Sequence, residues 1–297
     1  MSVLDGDFIG FSFDDVHSSD LGVLRVSDGS RYNEYLLPTS QDVTVQVPGG
    51  DGTYYFGSYY TSRPFSISIA FDSLTEEQLR KLRQTFTLKK IGRLVFDEAP
   101  YKYYMVKVVS QPQLKYICFG RPGEPRVYKG EGTIQFTAYY PYAKSTHLSL
   151  KDSEGNFYKE FQDANRVEWA EESGLPETSP SLSGATVTIN NVGDLEMDWR
   201  ALYSFDSQWG IPSRIEINGV GLLTLSNVTQ MTGDSYIAIN SKTNLIEGLD
   251  ADENPTGNLY NKYISGGAFF KIPVGNYNFS TTGGAGCYRL DYEYIYY

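Results

Sequence analysis

The sequence predicts a mainly β chain with one or two short helices, arranged as two sandwich-like domains. Three observations carry this expectation: a strand with alternating apolar residues at 63–71, one capped amphipathic helix after it, and a long run of short turn-punctuated segments from residue 185 onward. At 297 residues the chain exceeds the usual single-domain size of roughly 100–200 residues, so two domains are expected. The boundaries are an N-terminal sandwich or barrel-like domain at 1–145, a helical connector at 146–183, and a jelly-roll sandwich at 184–297.

The first strand is Arg63-Pro-Phe-Ser-Ile-Ser-Ile-Ala-Phe71, with Phe65, Ile67, Ile69 and Phe71 on one face. Thr75-Glu-Glu-Gln78 then reads as a capping box, with Leu74 stapled against Leu79. Leu79, Leu82 and Phe86 form the apolar stripe of a short helix that ends before Gly92. Its other face is basic. Two strands follow within 94–108, joined by a polar turn at 97–100. None of these elements holds a plausible catalytic group.

Before that strand, Pro48-Gly-Gly-Asp-Gly52 leads into Tyr54-Tyr-Phe-Gly-Ser-Tyr-Tyr60. Glycines allow backbone shapes closed to other residues, and the aromatics supply large amphipathic contact area. The segment reads either as an arm that anchors on a neighbouring copy through Tyr54, Tyr55, Phe56, Tyr59 and Tyr60, or as an ordinary hairpin packed on its own domain.

In the connector, residues 165–175 form a helix that Asn165 can cap and Gly174 can end. Beyond it the expected strands lie at 185–189, 201–205, 214–217, 221–225, 235–240, 269–272 and 288–296. The last places Tyr288, Leu290, Tyr292, Tyr294 and Tyr296 on one face.

Charge separates the two halves. Residues 1–145 carry 16 Lys and Arg against 16 Asp and Glu, and residues 146–297 carry 9 against 20, giving net charges of 0 and −11. Such acidity argues against nucleic-acid binding by the second half through phosphate neutralisation, and no sequence-specific nucleic-acid partner is expected; the acidity serves either solubility or partner docking. No apolar run approaches the roughly 20 residues that span a membrane, and the N-terminus lacks a signal peptide, so the expectation is a soluble protein made in the cytoplasm. Cys118 and Cys287 fall in different domains and are expected as reduced, partly buried thiols.

Enzyme chemistry finds little support. His17 and His147 lack Cys or His at metal-ligand spacing, and no Gly-x-Ser-x-Gly elbow occurs. In 250–254 the acidic run suggests a calcium loop, but Pro255 takes the place of the glycine turn and Asn261 that of the closing glutamate, leaving a solvated acidic loop. Gly283-Gly-Ala-Gly286 has no helix behind it and reads as a hairpin turn. The carboxylate pairs Asp97 with Glu98 and Glu171 with Glu172 are explained by turn and helix-surface roles. No catalytic residue, metal or cofactor is expected.

The Arg-Pro-Phe strand, the Leu-Thr-Glu-Glu-Gln-Leu-Arg helix, Gly92-Arg-Leu-Val-Phe-Asp-Glu-Ala-Pro-Tyr-Lys-Tyr-Tyr104 and Gly130-Glu-Gly-Thr-Ile-Gln-Phe-Thr-Ala-Tyr-Tyr-Pro-Tyr-Ala143 occur in that order. In this succession the first half resembles the N-terminal domain of the distal tail proteins of long-tailed bacteriophages (siphophages). In the second half, Thr188-Ile-Asn-Asn-Val-Gly-Asp194, Asp234-Ser-Tyr-Ile-Ala-Ile-Asn240 and Phe269-Phe-Lys-Ile-Pro-Val-Gly275 resemble the galectin-like C-terminal sandwich of many of these proteins.

The resemblance implies a structural virion protein rather than an enzyme, sited at the tail tip. It would form a homohexameric ring joining the tail tube protein to the tail-associated hub protein, the tape measure protein and the receptor-binding or baseplate proteins. No long insertion of the kind that adds a sugar-binding module in some relatives is present. The alternative function is a carbohydrate-binding adhesion module acting on host cell walls, with Trp199 and Trp209 as candidate stacking residues. Both are also natural core or turn anchors of a sandwich.

Overall fold

The alternation at 63–71 lies within a longer strand, Arg63–Thr75, in the first of two units. The computed structural model describes residues 10–26, 38–49, 51–120, 125–158, 161, 171, 173–179, 185–205, 210–283 and 289–297. One unit comprises Met1–Thr146 with Tyr297, the other His147–Tyr296. No helix among the described residues is long and apolar enough to cross a membrane.

In the first unit the strands are β1 (Phe11–Phe13), β2 (Val16–His17), β3 (Leu24–Arg25), β4 (Ser40–Val45), β5 (Tyr54–Tyr60) and β6 (Arg63–Thr75). After helix α1 (Glu76–Thr85) come β7 (Ile91–Phe96), β8 (Lys102–Val108), β9 (Gln113–Phe119), β10 (Val127–Ala138) and β11 (Ala143–Ser145). The main antiparallel sheet runs β2-β1-β7-β8-β10-β6-β3. β8 and β9 share one edge of β10: β8 takes Phe136, Thr137 and Ala138, and β9 takes the stretch from Val127 to Thr133. β4 and β5 form a separate two-stranded sheet.

Phe65, Ile67, Ile69 and Phe71 are buried, as the period-two pattern requires, while Ser66 and Ser68 face solvent. The capping box closes as expected. Thr75 Oγ1 accepts the Gln78 amide at 3.2 Å, and Gln78 Oε1 accepts the Thr75 amide at 2.9 Å. Leu79, Leu82 and Phe86 are buried, each worth about 1.5–3 kcal/mol in transfer terms. Phe86 closes an aromatic core with Phe13 at 5.7 Å and Phe136 at 6.0 Å between ring centres. Arg63, read from sequence only as a strand start, is also buried, with its guanidinium 4.9 Å from the centre of the Tyr104 ring.

The second unit contains β12 (Thr186–Asn191), β13 (Trp199–Ser204), β14 (Arg214–Ile217), β15 (Gly221–Leu225), β16 (Tyr236–Asn240), β17 (Leu245–Leu249), β18 (Pro255–Leu259), β19 (Ile264–Gly267), β20 (Gly275–Thr282), β21 (Arg289–Tyr292) and β22 (Ile295–Tyr296). The ten strands β12 to β21 build two five-stranded antiparallel sheets, β12-β20-β14-β15-β19 and β18-β17-β16-β13-β21. Trp199 of one sheet meets Phe279 of the other edge-on at 5.0 Å, so the two layers share a core.

Several expectations change on inspection. Residues 269–272 contribute only an isolated bridge from Ile272 to Met197, while β17, β18, β19 and β20 occur where no strand was expected. The expected terminal strand breaks after Tyr292, although Leu290, Tyr292, Tyr294 and Tyr296 are all buried. The described part of 147–179 belongs to the second unit rather than forming a separate connector: the Leu150 amide donates to Pro176, Lys151 to Glu177, and Leu150, Phe161 and Leu175 are buried. Most of the helix expected at 165–175, and the turn at 284–286, lie outside the described residues.

Candidate interaction surface

The most conspicuous surface of the first unit is the β4–β5 hairpin. Every residue of β4 is exposed, as is every residue of β5 except Gly57, which is half-buried. Tyr54, Tyr55 and Phe56 are 64, 62 and 68% accessible, with Tyr59, Tyr60, Val43, Val45 and Val47 also exposed. Gly57 takes φ 120°, a value that L side chains rarely adopt, next to a register shift between Asp42 and Thr44. Within the hairpin, Tyr59 donates to Gln41 Oε1 at 3.2 Å and Tyr55 to Ser58 Oγ at 3.1 Å. These polar contacts fix side chains along the ribbon without covering its aromatic surface.

Aromatic rings hold the foot of the hairpin. Tyr60 meets Tyr142 edge-on at 6.2 Å, and Tyr142 contacts Tyr140 at 5.5 Å and Tyr297 at 5.9 Å. Burial, with Tyr297 and Tyr60 close by, pushes the Tyr142 phenol above its ordinary pKa. The hairpin therefore leaves the unit from a fixed base.

A second exposed surface lies on β9. Ile117 and Phe119 are 65 and 53% accessible, and Tyr116 is also exposed. Two glycines of β10 set this strand in place. A Cβ at Gly130 would collide with the Lys115 carbonyl and approach Tyr116 Cα to 2.8 Å, and one at Gly132 would come within 2.8 Å of the Gln113 carbonyl oxygen. Cys118, expected to be partly buried, is exposed, because β9 lies at an edge with both faces open. Arg83 of α1 reaches Tyr116 Oη at 3.4 Å, which joins the basic helix face to β9. Sequence reasoning missed this surface; its signal was the unalternated apolar run from Tyr116 to Phe119.

The other candidate residues occupy structural positions. Trp199 is 1% accessible, donates its indole N–H to the Phe270 carbonyl at 2.7 Å, and packs on Phe270 and Phe279. A sugar-stacking platform needs a solvent-facing ring, and Trp199 offers none. Trp209 lies outside the described residues. A cleft of about 370 Å³ in the second unit has Glu196, Asp198, Lys242 and Phe269 on its walls. Lys271 lies 3.3 Å from Glu196 and 3.9 Å from Asp198, so charges within the protein occupy its polar side.

Asp97 accepts the Gly10 amide at 2.8 Å and faces His17 at 3.1 Å, while Glu98 pairs with Arg25. In the 250–254 loop, Asp250 accepts the amides of Asp252 and Asn254, both at 2.9 Å. The Asn254 amide is the main cause holding its carboxyl below the usual range. Asp234 is a buried hub that accepts from Tyr260, Thr256 at 2.5 Å and Asn258 at 3.0 Å. Each carboxylate is thus committed to local structure.

A family model described as the phage tail protein RIFT-related domain matches residues 19–138. No curated protein sequence matches the chain. Among solved structures, the Dit protein of phage SPP1, described as a paradigm of the hub adsorption apparatus in phages infecting Gram-positive bacteria, aligns with a TM-score of 0.59 and 10% identity over 98% of this chain and 100% of that one. The phage P2 baseplate in its activated, calcium-containing conformation gives a TM-score of 0.46 at 11% identity, covering 98% of this chain and 99% of that one. At these identities the likenesses are ones of fold, and the lower score carries no argument. Residues 19–138, less than half of the chain, are thus similar to the phage tail protein RIFT-related domain, and the chain shares the β-rich fold of the SPP1 Dit protein.

Proposed function

We propose that this protein is a structural component of the distal tail, assembling as a closed ring of six copies that joins the tail tube to the baseplate hub and the receptor-binding apparatus. It works by assembly and not by catalysis. The first unit carries the self-contacts through the β4–β5 arm, and the acidic second unit docks tail and baseplate partners. One observation carries this reading: a hairpin with five exposed aromatics and exposed valines on a domain that already has its own packed core. Contiguous exposed apolar surface of this kind marks a protein interaction site. Support comes also from the tail-domain match and the shared fold.

The test is the double variant Tyr55→Ser/Phe56→Ser, followed by light scattering and thermal unfolding. Assembly should weaken while the monomer melts at nearly the same temperature, because interface anchors matter only when a partner is present. Normal assembly with a clearly lower melting temperature would assign the segment to its own domain instead.

A further inference from the structure

We propose that the β4–β5 hairpin of one copy docks along the outer edge of β9 of a second copy and extends that sheet by strand addition. The inference rests on the ring reading and names the surface that receives the arm. Among the described residues, β9 pairs only with β10, so its other edge presents unpaired backbone groups. Natural edge strands are usually blunted by charge, proline or brevity. β9 has seven residues, no proline and Lys115 as its single charge, with Ile117 and Phe119 exposed on one face. Such an edge calls for a cover.

The hairpin has the complementary need. β4 and β5 pair only with each other among the described residues, and a lone two-stranded ribbon is marginal in water. Their lengths of six and seven residues match the seven of β9, which permits pairing along the whole strand. Charge favours the match. Between residues 38 and 62 the hairpin carries Asp42 and Asp51 and no Lys or Arg. Next to β9, α1 exposes Arg80, Lys81 and Arg83. The nearby acids are Glu77, Glu131 opposite Lys115, Asp72 paired with Lys129 at 2.6 Å, and Glu76 bonded to Tyr128. An arm and its acceptor on one chain make a head-to-tail contact, the kind that generates rings when the rotation closes.

Cys118 supplies a reporter inside the proposed acceptor. In full-length protein carrying Cys287→Ser, single cysteines are placed in turn at residues 41–45 and 55–59, and each variant is oxidised under mild conditions. One or more hairpin positions should yield an intermolecular disulfide ladder that disappears on Cys118→Ser. A ladder without any hairpin cysteine would mean that β9 edges meet each other, and would overturn the proposal. Assembled protein with no ladder at any position would overturn the acceptor while leaving the ring reading intact. Protein that stays monomeric at every concentration, with no ladder, would overturn both. As a second measurement, Ile117→Lys/Phe119→Lys alters only exposed side chains. It should abolish assembly with an unchanged melting temperature, and unaltered assembly would overturn the proposal.

Discussion

At the scale of single residues, the buried stripe of α1 gives the plainest expectation. Leu82 is buried against the first-unit core, whereas Lys81 beside it faces solvent. Leu82→Ala should cost about 2–5 kcal/mol and Lys81→Ala less than about 0.5 kcal/mol, measured by denaturant unfolding. Equal losses would mean that the helix is phased differently. Tyr260 sets a second expectation. Burial, with its hydrogen bond to Asp234, pushes the phenol up to about 12. A group that the fold keeps protonated contributes its full stabilisation below the unfolded value of about 10 and loses it as pH rises through the folded value. The melting temperature should therefore fall between pH 10 and about 12, and Tyr260→Phe should make that fall shallower. Buried Tyr292 and Tyr294 are shifted in the same direction and should retain part of the slope.

At the scale of elements, β10 needs Gly130 because the backbone of the paired strand β9 leaves no room for a Cβ there. Gly130→Ala should displace β9, raise amide exchange from Gln113 to Phe119 and leave that of β7 unchanged; uniform protection would show that the strand tolerates the methyl group. The same contrast explains what the sequence disclosed. β6 and α1 were legible because alternation and the capping box are local signals, set by neighbours two to four residues away. The β4–β5 hairpin was legible as glycine beside aromatics, and its exposure follows one of the two readings the sequence left open. β18 and β20 were missed because their residues alternate between buried or half-buried and exposed positions with few large apolar side chains, and Pro255 begins β18. The opposite error occurred at 269–272, where Phe270 covers Trp199 and pairing is limited to the single Ile272–Met197 bridge. Cys118 and Arg63 were misjudged for one reason: burial depends on strands distant in sequence, and spacing does not report it.

At the scale of the whole molecule, each unit has its own apolar core, Phe13 with Phe86 and Phe136 in one and Trp199 with Phe279 in the other. Chains with separate cores commonly depart from two-state unfolding. Calorimetry should resolve two transitions, with Leu82→Ala lowering one and Tyr260→Phe the other; a single transition shifted by both would mean that the units melt together. Under the proposed assembly, the Tyr60–Tyr142 contact at the foot of the hairpin has a wider consequence. It sets the angle at which the arm leaves the domain, and in a head-to-tail contact that angle decides whether successive copies return to their starting point or climb past it. Changing Tyr142 should therefore do more than weaken assembly: the product to look for in electron micrographs is an open helical fibre.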